Sequence, residues 1–172
     1  DELQLLRSLS SSRTPDANSI NPYTSIKESV FQMIDCTDRG DFVQAQAILD
    51  SVNFEWKRKS LFLYLEGWLY YLQDKKSEAA CLFQQTLSLR SDFWPARFYH
   101  ALCIKFEEPA TARRELVVCL NQLENEKEES RNLYKFLLEE FDTAYFIEMC
   151  RKGIEKIGDP RGTAQQGGRW WP

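Results

Sequence analysis

The chain has 172 residues, the length of one ordinary domain, long enough to bury a core without disulfides. Its 43% apolar and 28% charged residues are an ordinary globular balance, so neither a fully disordered chain nor a membrane bundle fits. A net charge of −4 argues against a face for nucleic-acid phosphates, which need a basic surface.

Residues 1–22 read as an N-terminal segment and linker. Asp1 to Leu9 is acidic and lacks the basic and apolar regions of a signal peptide. Ser8 to Pro22 is rich in Ser, Asn and Pro, a linker composition. No apolar run approaches the ~20 residues of a membrane-spanning helix, and the chain reads as cytoplasmic, without membrane insertion. It begins without Met, which fits a fragment of something longer.

Residues 23–157 carry an internal repeat. With Ile26, Ser60 and Trp94 as first positions, the period is 34 residues (60 − 26 and 94 − 60), the period of the tetratricopeptide helix-turn-helix. In the first repeat Gly40-Asp41-Phe42 reads as the turn, Ala45 as the small position of the second helix, and Leu49 as its partner. Met33 stands where the first helix of such a repeat carries a small residue. The middle repeat fits best. Gly67 takes the small position where two helices cross closely, with Tyr70 on the same face. Ala79 and Phe83 follow on the second helix, and Leu87 and Leu89 close the repeat. In the third repeat Ala101 matches Gly67, and Ala112 arrives one residue early. The turn Glu107-Glu108-Pro109 is therefore one residue shorter, and Pro109 suits a helix start. Leu116, Cys119, Leu120 and Leu123 continue the inner face.

A charged segment, Glu124 to Arg131, precedes two further helical stretches, Asn132 to Glu140 and Thr143 to Ile157. Asp142 is the N-cap of the second. Tyr145, Phe146, Met149, Ile154 and Ile157 give it an apolar stripe that would cover the end of the stack. Residues 158–172 read as a flexible tail ending in Arg169-Trp170-Trp171-Pro172, either a docking peptide or a segment packed on the domain. The expected fold is thus all-α: a tetratricopeptide-type antiparallel helix-pair superhelix of about three repeats plus C-terminal capping helices.

The chain offers little for catalysis. It has one histidine, His100, no Gly-rich phosphate loop and no H-E-x-x-H. The five cysteines form no C-x-x-C pair and read as small buried apolar residues, not metal ligands. Adjacent acids such as Glu107-Glu108, Glu128-Glu129 and Glu139-Glu140 do not face each other on a helix. No catalytic residue, metal or cofactor is expected in this chain, and an enzyme in its own right is the weakest of the functional alternatives. Glu66 stands where the repeat usually carries an aliphatic residue. It is either partly exposed or ion-paired, or else a polar anchor for a ligand.

In tetratricopeptide stacks, positions 2, 5, 9 and 12 of the first helices line a concave surface. Here they give Lys27, Val30, Ile34 and Thr37, then Leu61, Tyr64, Trp68 and Tyr71, then Pro95, Phe98, Leu102 and Lys105. The middle is aromatic and apolar, with Lys27, Arg97 and Lys105 at its rim. It suits an amphipathic helix or apolar peptide, unless these side chains pack against neighbouring helices or the chain's own ends.

Three longer phrases resemble a narrower family. They are Asp92-Phe93-Trp94-Pro95-Ala96-Arg97-Phe98-Tyr99-His100-Ala101; Ala112-Arg113-Arg114-Glu115-Leu116 with Leu120 and Leu123-Glu124; and Phe136-Leu137-Leu138-Glu139-Glu140-Phe141 with Tyr145-Phe146 and Cys150-Arg151. Together they are similar to the repeat region of CheR-type chemoreceptor methyltransferases. The resemblance implies a parent enzyme that transfers methyl groups from S-adenosylmethionine to receptor glutamates. Its catalytic and cofactor-binding domain would lie upstream of Asp1. The repeats would then dock a chemoreceptor, a chemosensory signalling protein or the parent's own catalytic domain. The alternative is a free-standing tetratricopeptide adaptor or secretion chaperone that binds a client helix or peptide.

Overall fold

The computed structural model describes residues 2–11, 24–127, 133–137 and 142–158. Among them the chain is all-helical, with no strand. Nine α-helices are present: α1 (Glu2–Ser11), α2 (Thr24–Asp38), α3 (Phe42–Ser51), α4 (Phe54–Lys57), α5 (Ser60–Leu72), α6 (Lys76–Leu89), α7 (Trp94–Ile104), α8 (Pro109–Asn125) and α9 (Thr143–Gly158). A 3-10 turn spans Lys135–Leu137. No helix among the described residues is long and apolar enough to cross a membrane.

The helices pack mainly on their neighbours in sequence: α2 on α3, α5 on α6, α6 on α7, α7 on α8, and α8 on α9. Helix starts keep the sequence period. The starts of α5 and α7, and of α3 and α6, are 34 residues apart (94 − 60 and 76 − 42).

The turns inside the first two repeats, α2 to α3 and α5 to α6, are the same turn. Gly40 and Asp74, equivalent in the repeat, both have a left-handed backbone, with φ of 75° and 61°. The Asp41 N–H donates to Cys36 O at 2.8 Å, and the Lys75 N–H to Tyr70 O at 2.9 Å. The Gly40 and Asp74 N–H groups donate to Thr37 O and Tyr71 O at 2.9 and 3.0 Å. Each pair satisfies carbonyls left unpaired at a helix C-terminus. The third turn, one residue shorter, has no left-handed residue. There the Glu108 N–H instead closes on Ile104 O at 2.7 Å.

The small residues sit at the crossings. Ala45, Ala79, Ala101 and Ala112 are fully buried. A Cβ on Gly67 would lie 2.9 Å from Phe83 Cε1 and 3.2 Å from Leu82 Cβ, so α5 and α6 approach as closely as glycine permits. Phe83 heads a run of ring contacts. It touches Tyr64 (5.8 Å between centroids), which stacks on Phe93 (5.1 Å), which stacks on Tyr134 (4.2 Å).

At the C-terminal end α9 covers α8. Asp142 Oδ1 accepts from the Tyr145 N–H at 2.9 Å, the N-cap expected of it. Phe146, Met149 and Cys150 are buried, while Ile154 and Ile157 are half-buried.

Several expectations differ in detail. Residues 1–22 were expected to be segment and linker, yet Glu2–Ser11 is helical, and α1 takes in Ser8 to Ser11. Residues 12–22 lie outside the described residues. The helix expected from Asn132 to Glu140 is, in its described part, a 3-10 turn with Tyr134, Phe136 and Leu137 buried. Helix α4, started by Asn53 Oδ1 accepting from the Glu55 N–H, carries no period of its own to predict it. Cys81, expected to be buried like the other cysteines, is exposed, unlike those four, and Leu89, which closes the middle repeat, is exposed too. Residues 128–132, 138–141 and the tail 159–172, with Arg169-Trp170-Trp171-Pro172, lie outside the described residues.

Candidate functional site

The positions expected to line a groove do lie along the first helices of the pairs, α2, α5 and α7. They do not form an open surface. Val30, Ile34, Leu61, Tyr64, Trp68, Phe98 and Leu102 are all buried. Repetition fixes which side of each first helix they occupy. Tyr64 packs among Phe83 of α6, Phe93 and Tyr99, while the chain's own end segments reach Leu61 and Phe98.

Over the N-terminal part lies α1, with Leu5, Leu6 and Leu9 buried. Lys27, expected at the rim, is itself buried: its ammonium donates to the Ser8 carbonyl at 3.0 Å and lies over the Phe31 ring. Over the C-terminal part lies α9. Phe146 meets Phe98 and Trp94 edge-on, at 5.1 and 5.2 Å between centroids.

Tyr71 remains half-buried, edge-on to Tyr99 at 5.0 Å. Burial, followed by the neighbouring Cys103, raises its phenol to about 12. Lys105 closes the far end of α7, over the Phe106 ring. Burial lowers its ammonium below the ordinary range, helped by Lys76 and Lys156 nearby. Phe106 is exposed.

Arg97 works as a clamp within the fold. Its guanidinium pairs with Glu115 of α8, donates from Nε to Gln122 Oε1 at 3.3 Å, and donates from Nη2 to Ser91 O at 2.8 Å. All three nitrogens are used to tie α7 to α8 and to the turn before α7.

Glu66 is half-buried in α5. Burial, then the charge of Asp50, raises its carboxyl above the usual carboxylate range, and Lys57 opposes them. Partial exposure therefore describes it. His100 is half-buried, with Nδ1 unpartnered, and burial lowers its basicity. The Cys119 thiol is fully buried between α8 and α9. It donates to the Trp94 carbonyl at 3.6 Å; burial pushes the thiol well above the ordinary range, with the neighbouring Cys150 adding to this. Among the described residues no group of three or more His, Cys, Asp or Glu is arranged to hold a metal ion.

Sequence reasoning missed two residues at this face, Glu2 and Ser60. Glu2 Oε1 accepts from the Ser60 hydroxyl at 2.7 Å and from the Leu61 N–H at 2.8 Å. Lys59, the N-cap residue of α5, offers no side-chain acceptor. Helices α6, α7 and α8 also start without a capping side chain, so the sequence carried no signal particular to this contact.

Fold and site together define an all-helical protein whose first-helix side chains are buried, with α1 clipped to the starts of α2 and α5 and α9 packed on α8 and against Phe98. No protein-family model matches the chain, and no curated protein or solved structure is found similar to it.

Proposed function

We propose that this chain is a protein-interaction module of three tetratricopeptide-type helix pairs with C-terminal capping elements. We further propose that it forms the regulatory or docking region of a CheR-type chemotaxis methyltransferase. The S-adenosylmethionine-dependent catalytic domain would lie upstream of Asp1. The observation that carries the module reading is the repeated turn: Gly40 and Asp74, 34 positions apart, share one backbone conformation and one hydrogen-bond pair. Stacks of such pairs present their first helices as one continuous face, and such faces serve to bind other polypeptides.

The narrower reading is supported by the way two of the family-like phrases meet. Arg97 of the first pairs with Glu115 of the second, in a site where both side chains are largely buried. The partner on this reading is a chemoreceptor, a chemosensory signalling protein or the parent's own catalytic domain, in the cytoplasm. Neither nucleic acid nor membrane insertion is involved.

Immunoblotting of source cells with an antibody against this chain tests the parent. A band far above 20.2 kDa is expected. A band near 20.2 kDa without cleavage leaves a free-standing adaptor or secretion chaperone. Titrating the purified chain into a labelled chemoreceptor cytoplasmic segment, and into a CheR-type catalytic domain, tests the partner. Saturable binding to at least one is expected, and binding to neither removes the chemosensory assignment.

A further inference from the structure

Helix α1 is held differently from the other long helices. It is separated from α2 by residues 12–23, and it reaches across to the start of α5 and to the 3-10 turn. Two polar clips fix its ends. At the N-terminal end the Glu2 carboxylate caps α5 through Ser60 and Leu61. At the C-terminal end the Lys27 ammonium takes the Ser8 carbonyl. Along the same side Leu5, Leu6 and Leu9 are fully buried, while Gln4 and Arg7 on the opposite side are exposed. The buried face therefore reads E-x-x-L-L-x-x-L.

Each part of this contact is one that a groove uses to take a helix from another protein. A carboxylate meets a helix N-terminus, where N–H groups and the dipole favour it. Apolar anchors recur one helical turn apart. A cation meets a carbonyl at the helix end. With ten residues, α1 is shorter than the ~12–15 at which an isolated helix is even marginal in water. The face it lies on is what orders it. Burying three leucines offsets only part of the entropy lost in fixing ten residues, so α1 is held weakly and depends on its polar clips.

We propose that the site formed by the starts of α2 and α5 and the 3-10 turn is a receptor for a short amphipathic helix of the pattern E-x-x-L-L-x-x-L. Helix α1 is its resident occupant, and a partner helix of the same pattern binds by replacing it. This rests on the interaction-module reading and names its partner's chemistry. Ser60 and the Leu61 N–H read the acid, and Lys27 reads the far end of the helix.

The test uses the whole chain with a protease site placed within residues 12–23, so that α1 can be cut free with its contacts unaltered. A fluorescein-labelled peptide of residues 1–11 is then added, and anisotropy, native mass and circular dichroism are followed. The cut chain is expected to exchange its own α1 for the peptide, and a Leu6→Asp peptide to compete about tenfold more weakly or worse. The uncut chain should take up the peptide about 100-fold less readily, because its own helix is tethered at high effective concentration. Three results overturn the proposal: a cut chain that keeps α1 without exchange over a day, one that loses α1 and its helical signal together, or a Leu6→Asp peptide that competes as well as the original. None of these touches the chemosensory assignment, which fails separately if neither the receptor segment nor the catalytic domain binds.

Discussion

Replacing Gly67 by Ala sets two effects of known sign against each other. Helix propensity favours alanine in a helix interior by about 1 kcal/mol. Packing opposes it. The new Cβ would stand 2.9 and 3.1 Å from two ring carbons of Phe83 and 3.2 Å from Leu82 Cβ. The Leu82 atom is tied to the backbone of α6. The Phe83 ring is fully buried and held between Tyr64 and Tyr99, at 5.8 and 5.9 Å, so it has no free direction in which to move. Forcing a methyl group into such a site costs about 1–3 kcal/mol. A net loss of up to about 2 kcal/mol is expected, or up to about 1 M in the urea midpoint. Adding Phe83→Leu should relieve the clash, so the double variant should be more stable than the sum of the two losses predicts by about 1 kcal/mol. Gly67→Ala more stable than the parent, with additive behaviour in the double variant, would show that α5 and α6 are not in the close contact described here.

The paired turns give opposite responses. Gly40→Ala should lower stability by about 1 kcal/mol; with nothing within 4 Å of the new Cβ, the loss reports backbone conformation alone. Asp74→Gly should raise stability by about 0.5 kcal/mol, and its exposed ion pair with Lys76 subtracts little. Trp68→Ala should cost about 3–5 kcal/mol of folding stability, because the side chain is 4% exposed; full stability with weakened partner binding would contradict its burial. For Glu66, ionisation is disfavoured in the folded state, so its penalty is present above its raised folded pKa and disappears below the unfolded one. Glu66→Gln should therefore stabilise the chain at pH 7, and the advantage should vanish as the pH is lowered through the carboxylate range. An advantage that is independent of pH would exclude this cause.

Much of the stack was legible because its cause is local and repeated. A small residue every 34 positions, Gly40 at a left-handed turn, Pro109 at a helix start and Asp142 at an N-cap each act within a few residues of themselves. The cover was not legible, because its cause is distant. The position rule identifies the side of the first helices on which Val30, Leu61, Tyr64 and Phe98 lie. It carries no information about whether α1 and Phe146 return to lie over that side. Arg97 looked like a rim cation because its sequence neighbours are apolar, and its partner Glu115 is 18 positions away. Helix α1 was hidden by its length: four leucines in ten residues next to a Ser-rich stretch do not amount to a period.

The run of rings from Phe83 through Tyr64 and Phe93 to Tyr134 bears on how the molecule comes apart. A stack in which each helix met only its neighbours could unzip from either end, one pair at a time. Here the rings join α5, α6 and the start of α7 to a segment more than thirty residues further along the chain, and Phe146 joins α9 to α7 across α8. Loosening one layer removes support from two others. The amides of α5 to α9 are therefore expected to exchange with solvent in one cooperative opening, while those of α1, outside the run of rings, exchange by an earlier one of their own.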